Sequence, residues 1–284
     1  MFGSVPGKKR IGFFLLKVKW PVAGDEDIGL TGSMMKTDTE IQREKLFKKL
    51  SKKAGKSIME QRMLSEGDRL LAGLSGGKDS LILLEILADR IRSMPFHVDL
   101  AAIHITVENI GYAINTRYLE DFCNGLNIPL IQRTVSADPD MTGKSPCFIC
   151  SWQRRKAIFN VTRDEGFNKL AFGHHRDDAL ETFMMNLLYH GSVSSMPYSL
   201  SMFDGRIHLI RPMLDLWEKD LAGYASLRGF TREEKKCPYD SETKRSYTRE
   251  VIEDLQRAYP KAKINMFKAL GNIYGEYLPV RPGK

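Results

Sequence analysis

Cysteine is scarce in this chain. Four among 284 residues are too few for a disulfide scaffold of this size, so the thiols are expected to be reduced and open to metal or redox chemistry. Long apolar runs are missing. None approaches the roughly 20 residues that a membrane-spanning helix needs. The longest early run, Ile11 to Leu16, sits between basic residues with no small-residue cleavage site behind it. Neither a membrane association nor a secretory signal is therefore expected, and the cytoplasm is the expected compartment. Apolar residues make up 42% and charged residues 27% of the chain, which excludes a mostly disordered protein. No internal repeat is found, and the length suits one large domain with appendages. The excess is positive charge. Lys and Arg number 43 against 35 Asp and Glu, a net +8, enough to suggest a polyanionic partner but far from a histone-like composition.

Residues 1–37 show neither helical nor strand period and read as a flexible extension. A translation start at Met34 or Met35 is an equally plain reading. Residues 38–64 read as a basic helical segment. Leu46, Phe47, Leu50, Ala54 and Ile58 recur at helical spacing. Arg43, Lys45, Lys48, Lys49, Lys52, Lys53 and Lys56 take the other faces, with Glu44 the one acid among them. Such a run is either a solvated face or a contact for a phosphate backbone.

From residue 69 strands and helices alternate. Strands are expected at 69–74, 98–105, 130–135, 169–172 and 207–210, and helices at 81–91, 113–126, 149–165, 178–190 and 217–228. This alternation predicts an α/β fold, a five-stranded parallel sheet covered by helices on both faces, spanning residues 65–235. Ligands bind at the carboxyl ends of the strands in such sheets, so the loops after Leu74, Ile105, Val135 and Phe172 should share one crevice. Residues 236–284 form a C-terminal helical segment, with helices expected at 246–258 and 262–275.

The first strand runs into Ser75-Gly76-Gly77-Lys78-Asp79-Ser80 and then a helix. Two glycines allow close backbone approach, and the helix start offers unpaired N–H groups at the positive end of its dipole. Ser75 and Ser80 add hydroxyls and Lys78 a point charge. Asp79 is out of place in an anion cradle unless Mg²⁺ bridges it to a phosphate. The spacing is not the Walker pattern. The hexapeptide resembles the PP-loop of the ATP pyrophosphatases. That resemblance implies that Ser75, Gly76, Gly77, Lys78, Asp79 and Ser80 hold the pyrophosphate leaving ATP as a substrate oxygen attacks the α-phosphate.

Cys147 and Cys150 form a CxxC within Pro146-Cys147-Phe148-Ile149-Cys150, and Cys237 follows at a distance. A CxxC is a metal site, a redox pair or an accident of sequence. Four protein ligands would suggest zinc, and three thiolates without an obvious fourth suggest an iron–sulfur cluster with one open iron, where sulfide could bind. Cys123, on an apolar helix face, reads as a small buried hydrophobe.

The PP-loop, the central CxxC followed by Arg154, Arg155 and Lys156, and the third cysteine together resemble the tRNA 2-thiocytidine synthetase family. So do Gly173-His174-His175-Arg176-Asp177-Asp178 with Glu181-Thr182, and also Ile210-Arg211-Pro212, Glu218-Lys219-Asp220 and Tyr259-Pro260. The resemblance covers roughly residues 40–275. It implies a 4Fe–4S cluster on Cys147, Cys150 and Cys237, with 2-thiocytidine at position 32 of tRNA as the product. It implies ATP in the PP-loop with its adenine over residues 103–110, His104 and Gly173 among the nucleotide contacts, and Mg²⁺. Lys78, Asp79 and Asp178 are the implied catalytic side chains, Asp178 ligating Mg²⁺ or orienting the base. Glu181 reads as a capping or packing partner. A cysteine desulfurase or another sulfur donor is the implied upstream partner, and dimers are common in the family. Where relatives often carry a further cysteine, three residues after Cys237, this chain has Asp240.

Two adjacent histidines rarely aim both rings at one ion, so the His174–His175 pair is not expected to ligate a metal jointly. The basic residues after the CxxC, with Lys235-Lys236 and Lys244-Arg245 around Cys237, suggest a positive approach for an RNA anticodon loop. Trp152, Tyr198 or Tyr247 could stack on an unpaired base, or serve the core. The alternatives are a 2-thiouridine synthase or another PP-loop tRNA-modifying enzyme, and a non-catalytic iron–sulfur RNA-binding protein.

Overall fold

The computed structural model describes residues 36–108, 115–136, 146–230 and 244–279, with the side chains of residues 146 and 147 outside the description. Residues 1–35 of the proposed extension over residues 1–37, the adenine segment beyond residue 108, the loop after the third strand and the Cys237 segment therefore lie outside the described residues.

Eight helices and six strands are described: α1 Asp38–Glu60, β1 Arg69–Gly73, α2 Lys78–Arg92, β2 Asp99–Glu108, α3 Thr116–Gly125, β3 Leu130–Ser136, α4 Pro146–Asp164, β4 Lys169–Ala171, α5 Arg176–His190, β5 Ser199–Met202, β6 Ile207–Ile210, α6 Glu218–Arg228, α7 Lys244–Ala258 and α8 Ala262–Ala269. All belong to one compact unit, Thr37–Lys284. The strands form one sheet in the order β3-β2-β1-β4-β6-β5. Every pairing is parallel except β5 with β6.

The expected five parallel strands are thus corrected to six, the added one antiparallel. Ser199–Met202 is four residues long and mostly exposed, so its alternation of serines with Leu200 and Met202 is too short to stand out as a strand period. It pairs because the chain reverses through Phe203, Asp204 and Gly205, all at positive φ. The Asp204-Gly205 dipeptide is a hairpin signal that could have revealed it. The last expected helix is also shorter, ending at Ala269.

Strand residues alternate between two cores, as the two-residue side-chain period requires. Leu70 and Ala72 of β1, Ala102 of β2, Ala171 of β4 and Ile210 of β6 face the larger core with α1, α2, α3 and α6. Leu71, Ile103, Ile105, Leu170 and Ile207 face the other with α4. Helix α2 is apolar on nearly all sides, and its one buried acid, Glu85, accepts from Tyr224 Oη at 2.7 Å and Arg228 Nε at 2.9 Å. A smaller cluster of Leu180, Met184 and Ile252 joins α5 to α7 and α8.

The strand order has a functional consequence. The chain proceeds outward from β1 through β2 to β3, then returns to the other side of β1 with β4. That reversal opens a crevice between the carboxyl ends of β1 and β4, the place where open α/β sheets take ligands. The PP-loop leaves β1 and the Gly173-His174-His175 segment leaves β4, so topology brings together two motifs about a hundred residues apart in sequence.

Candidate active site

The PP-loop is held by its own serines. Gly76 adopts φ +80°, a conformation open to glycine at little cost. Ser80 Oγ donates to the Gly77 carbonyl at 2.8 Å and accepts from Ser75 N at 3.1 Å, while Ser75 Oγ accepts from Gly77 N at 3.3 Å. Gly77 caps α2 without a side chain of its own, so the first-turn N–H groups have no side-chain cap over them. This is an anion cradle by construction.

Lys78 does not lie free beside that cradle. Its Nζ is 3.0 Å from both Asp79 carboxylate oxygens and 2.9 Å from Glu218 Oε1 at the start of α6. Burial alone would lower the lysine pKa, but the Glu218 and Asp79 carboxylates raise it. Burial pushes the Asp79 carboxyl up despite Lys78. Glu218 goes the other way, held down to about 2 chiefly by its bond to His175, with Lys78 adding to the effect. Asp79, His175 and Glu218 offer ligand atoms that all lie within 4.8 Å of one another. Carboxylates with one imidazole form a donor set suited to a divalent cation.

The five residues from His174 to Asp178 each go a different way. His174 lines the crevice, and burial lowers its pKa to about 4, which leaves the ring neutral at physiological pH. His175, 6% exposed, turns aside and places Nε2 2.9 Å from Glu218 Oε2. Burial works against its charge, but Glu218, Asp178 and Asp79 raise its pKa. The two rings part, as adjacency suggested. Arg176 donates to Asp215 at 2.6 Å and lies between the rings of Trp217 and Phe267, 4.7 and 4.3 Å from their centroids. Asp177 accepts from Glu218 N at 2.8 Å and Lys263 Nζ at 2.9 Å. Asp178 accepts from His175 N at 2.9 Å and from Arg245 of α7 at 2.5 Å. One short segment thus ties α5 to α6, α7 and α8.

A cavity of about 310 Å³ lies in the crevice, lined by Ser75, Asp79, Ser80, His104, Arg154, Gly173, His174 and Asp178 among others. His104 is 2% exposed, with Nδ1 2.8 Å from the Leu74 carbonyl. Gly173 passes so close to α2 that a Cβ there would sit 2.8 Å from the Asp79 carbonyl oxygen. Six expected site residues therefore share one cavity, with Gly76, Gly77 and Lys78 completing the loop beside it. Arg154 is an addition, since it read from sequence as part of an RNA approach. It lies on α4 one helical turn after Cys150, and its buried Nε has no hydrogen-bond partner. The i, i+4 spacing to Cys150 was the signal that could have placed it inward.

The CxxC opens α4, with Pro146 suited to a first helical position. Cys150 is half-buried in that first turn. The Cys147 side chain and Cys237 lie outside the described residues. Arg245, expected to face RNA, is instead bonded to Asp178 and Glu181, and Glu181 is a buried acid that accepts from Arg245 Nε at 2.5 Å and Arg249 Nε at 2.7 Å. Tyr198 packs against the core and donates to Asp215, while Trp152 and Tyr247 are exposed. A second cavity of about 610 Å³ is lined by His175 and Glu218 and walled by α5, α6, α7 and α8. Among the described residues no helix is long and apolar enough to cross a membrane.

Comparison with known proteins matches residues 38–255 to the PP-loop domain family. The chain is 31% identical over 269 residues to the tRNA-cytidine(32) 2-sulfurtransferase of Paraburkholderia phymatum, covering 91% of this chain and 78% of that one. It is 34% identical over 245 residues to the enzyme of that name from Marinobacter nauticus, covering 84% and 80%. Among solved structures it is similar to a U34-tRNA thiolase from Methanococcus maripaludis that carries a 4Fe–4S cluster. The TM-score is 0.69 at 24% identity, over 82% of this chain and 81% of that one, a likeness of fold.

Proposed function

The chain belongs to the tRNA-cytidine(32) 2-sulfurtransferase family of PP-loop domains, and from that premise we propose that it thiolates cytidine 32 of tRNA to 2-thiocytidine at the expense of ATP. The observation that carries this reading is the shared cavity. The PP-loop, His104, Gly173, His174 and Asp178 surround one space, with Arg154 reaching it from the CxxC helix.

In this reading ATP lies across the switch point, its departing pyrophosphate on the N–H groups of Ser75 to Ser80 and its adenine along the end of β2 near His104. The cytosine C2 oxygen attacks the α-phosphorus, pyrophosphate leaves, and a sulfur nucleophile then displaces AMP from C2. Lys78 and the helix start balance negative charge on the leaving group. Asp178 has both oxygens engaged, by His175 N and by Arg245, which supports an orienting role in preference to proton abstraction. Arg154, its Nε without a bond of its own, supplies positive charge next to the α-phosphate side of the cavity. Asp79 and Glu218 fit Mg²⁺ by donor chemistry, and the ion would neutralise phosphate charge. Cys147 and Cys150, on the turn before Arg154, fit two thiolates of an iron–sulfur cluster, with Cys237 as the third by family resemblance. When bound, that cluster would present sulfur for transfer, resupplied by a cysteine desulfurase or another donor.

The test is mass spectrometry of tRNA nucleosides from cells with and without the gene, complemented by wild type or Cys150→Ala. Loss of 2-thiocytidine on deletion, rescue by wild type and no rescue by a Cys150→Ala protein that still binds ATP are expected. A 2-thiocytidine level unchanged by deletion refutes the reaction.

A further inference from the structure

Helix α1 turns its apolar residues inward. Leu50, Ala54 and Ile58 enter the larger core, Leu46 and Phe47 pack against it, and the Phe47 ring lies 5.5 Å from that of Tyr224 on α6. At 100° per residue, Lys45, Lys48, Lys49, Lys52 and Lys56 then fall within an arc of roughly 100° on the opposite side. All five are exposed. They extend over about 16 Å of helix axis. The acids that border this face are Asp38 in the first turn, Glu44 one turn before Lys48, and Glu60 in the last turn.

Two of the five are engaged. Lys49 meets Asp220 at 3.2 Å and Lys56 meets Glu60 at 3.5 Å. Lys45, Lys48 and Lys52 have no ion-pair partner among the described residues. Nothing in the fold requires them. A solubilising surface would intersperse both signs, because like charges at i, i+3 and i+4 repel along a helix. Five lysines in one stripe, with Glu44 at its border as the one acid between its ends, accept that repulsion.

The stripe is also continuous with the site. Asp220, Lys49's partner, lies two residues after Glu218, the residue that holds Lys78 of the PP-loop. Asp220 and the exposed Lys219 both line the larger cavity, which His175 and Glu218 border. A polyanion lying on α1 would thereby reach the rim of the larger cavity, which shares His175 and Glu218 with the site.

We infer that this face of α1 is a docking surface for the sugar–phosphate backbone of the tRNA substrate, with Lys45, Lys48 and Lys52 as its principal contacts. The occupant follows from charge complementarity. The five lysines extend over about 16 Å, a length that spans about five phosphates at roughly 3.4 Å per repeat along one strand of a duplex. The stripe offers no aromatic side chain for reading bases, so it fixes position without specifying sequence. The inference rests on the proposed tRNA substrate and goes beyond it by naming where the body of the RNA lies.

The test is tRNA binding by filter retention from about 50 to 200 mM salt, with the full chain carrying Lys45→Glu, Lys48→Glu and Lys52→Glu together, and a second variant with Gln at the same three positions. ATP affinity is measured alongside, since none of the three touches the nucleotide cavity. The expected result is tRNA affinity at least tenfold weaker at about 0.1 M salt for the Glu variant. The Gln variant should show a smaller loss, with its log–log salt slope reduced by about 2 to 3. ATP affinity should be unchanged. Wild-type affinity and slope in both variants overturn the inference while leaving the thiolation reading intact. Unchanged tRNA binding with thiolation lost only when a protein sulfur donor is used also overturns it, and assigns the face to that donor. Absence of tRNA binding by the wild-type protein removes the proposed substrate and this inference together.

Discussion

Substituting alanine for Gly173 tests whether close contact between the β4 loop and α2 sets the nucleotide cradle. The added Cβ would lie 2.8 Å from the Asp79 carbonyl oxygen, 3.0 Å from its carbonyl carbon and 3.3 Å from Ser80 N. All three are backbone atoms in the first turn of α2, so no side-chain rotation can relieve them. Ordinary contact requires about 0.6 Å more than the shortest of these distances. Overpacking of this kind costs about 1–3 kcal/mol, and in a domain of this size each kcal/mol lowers the melting temperature by about 2–4 °C. The function is disturbed as well. A half-ångström displacement moves the PP-loop donors out of the narrow hydrogen-bond range of about 2.7–3.2 Å, so ATP affinity should fall at least tenfold, about 1.4 kcal/mol. Isothermal titration with ATP and thermal denaturation measure the two effects. Gly125→Ala is the control, because Gly125 ends α3 with nothing within 4 Å of a Cβ, and alanine there should be neutral or slightly stabilising. If Gly173→Ala binds ATP within a factor of about two of wild type and melts at the same temperature, the contact does not set the cradle.

Other consequences are equally direct. Glu181→Gln keeps the shape of a buried side chain but removes the charge shared by Arg245 and Arg249. Because both arginines are partly exposed and can rehydrate, the cost should be about 2 kcal/mol. Hydrogen exchange should speed up in α7 ahead of the sheet, and unchanged α7 protection would show that the Glu181 ion pairs do not hold α7. Cys123 is fully buried, and burial raises its thiol pKa from 9.0 to about 11. Native protein should therefore leave this thiol unmodified by maleimide at pH 8. Between pH 9 and 11 the unfolded chain gives up this proton and the folded chain keeps it, so stability should fall as pH rises through that window. Cys123→Ala should lack that share of the fall, and identical profiles for the two proteins would show that the thiol does not titrate with folding. Lys78→Ala leaves Asp79 and Glu218 facing each other without the ammonium that now bridges them. Without nucleotide it should bind Mn²⁺ more tightly than wild type in a paramagnetic titration, while ATP binds more weakly. Weaker Mn²⁺ binding would contradict the bridging role.

Much of this molecule is local and therefore readable along the chain. Helix α1 declares itself by the recurrence of Leu46, Leu50, Ala54 and Ile58, because burying one face requires that spacing. Helix α2 does so by the near-continuous apolar run from Leu81 to Ala88 of a helix buried on nearly all sides. The PP-loop is a local device as well. Glycines, serines and a helix start within six residues are all that an anion cradle needs. The antiparallel strand β5 escaped because its alternation of serine with Leu200 and Met202 covers only four residues and its existence as a strand depends on pairing with β6. What the tertiary structure alone decided is where charged groups go once the sheet reverses between β1 and β4. Lys78 turns to Glu218, 140 residues away in sequence. Arg245 leaves the expected RNA approach for Asp178 and Glu181, and Arg154 enters the cavity. Coulombic attraction acts through space and takes no account of sequence separation, whereas backbone propensity and hydrophobic period act along the chain. The sequence by itself therefore determined the elements and the motifs, and the partners of the charged side chains emerged only when those elements were packed together.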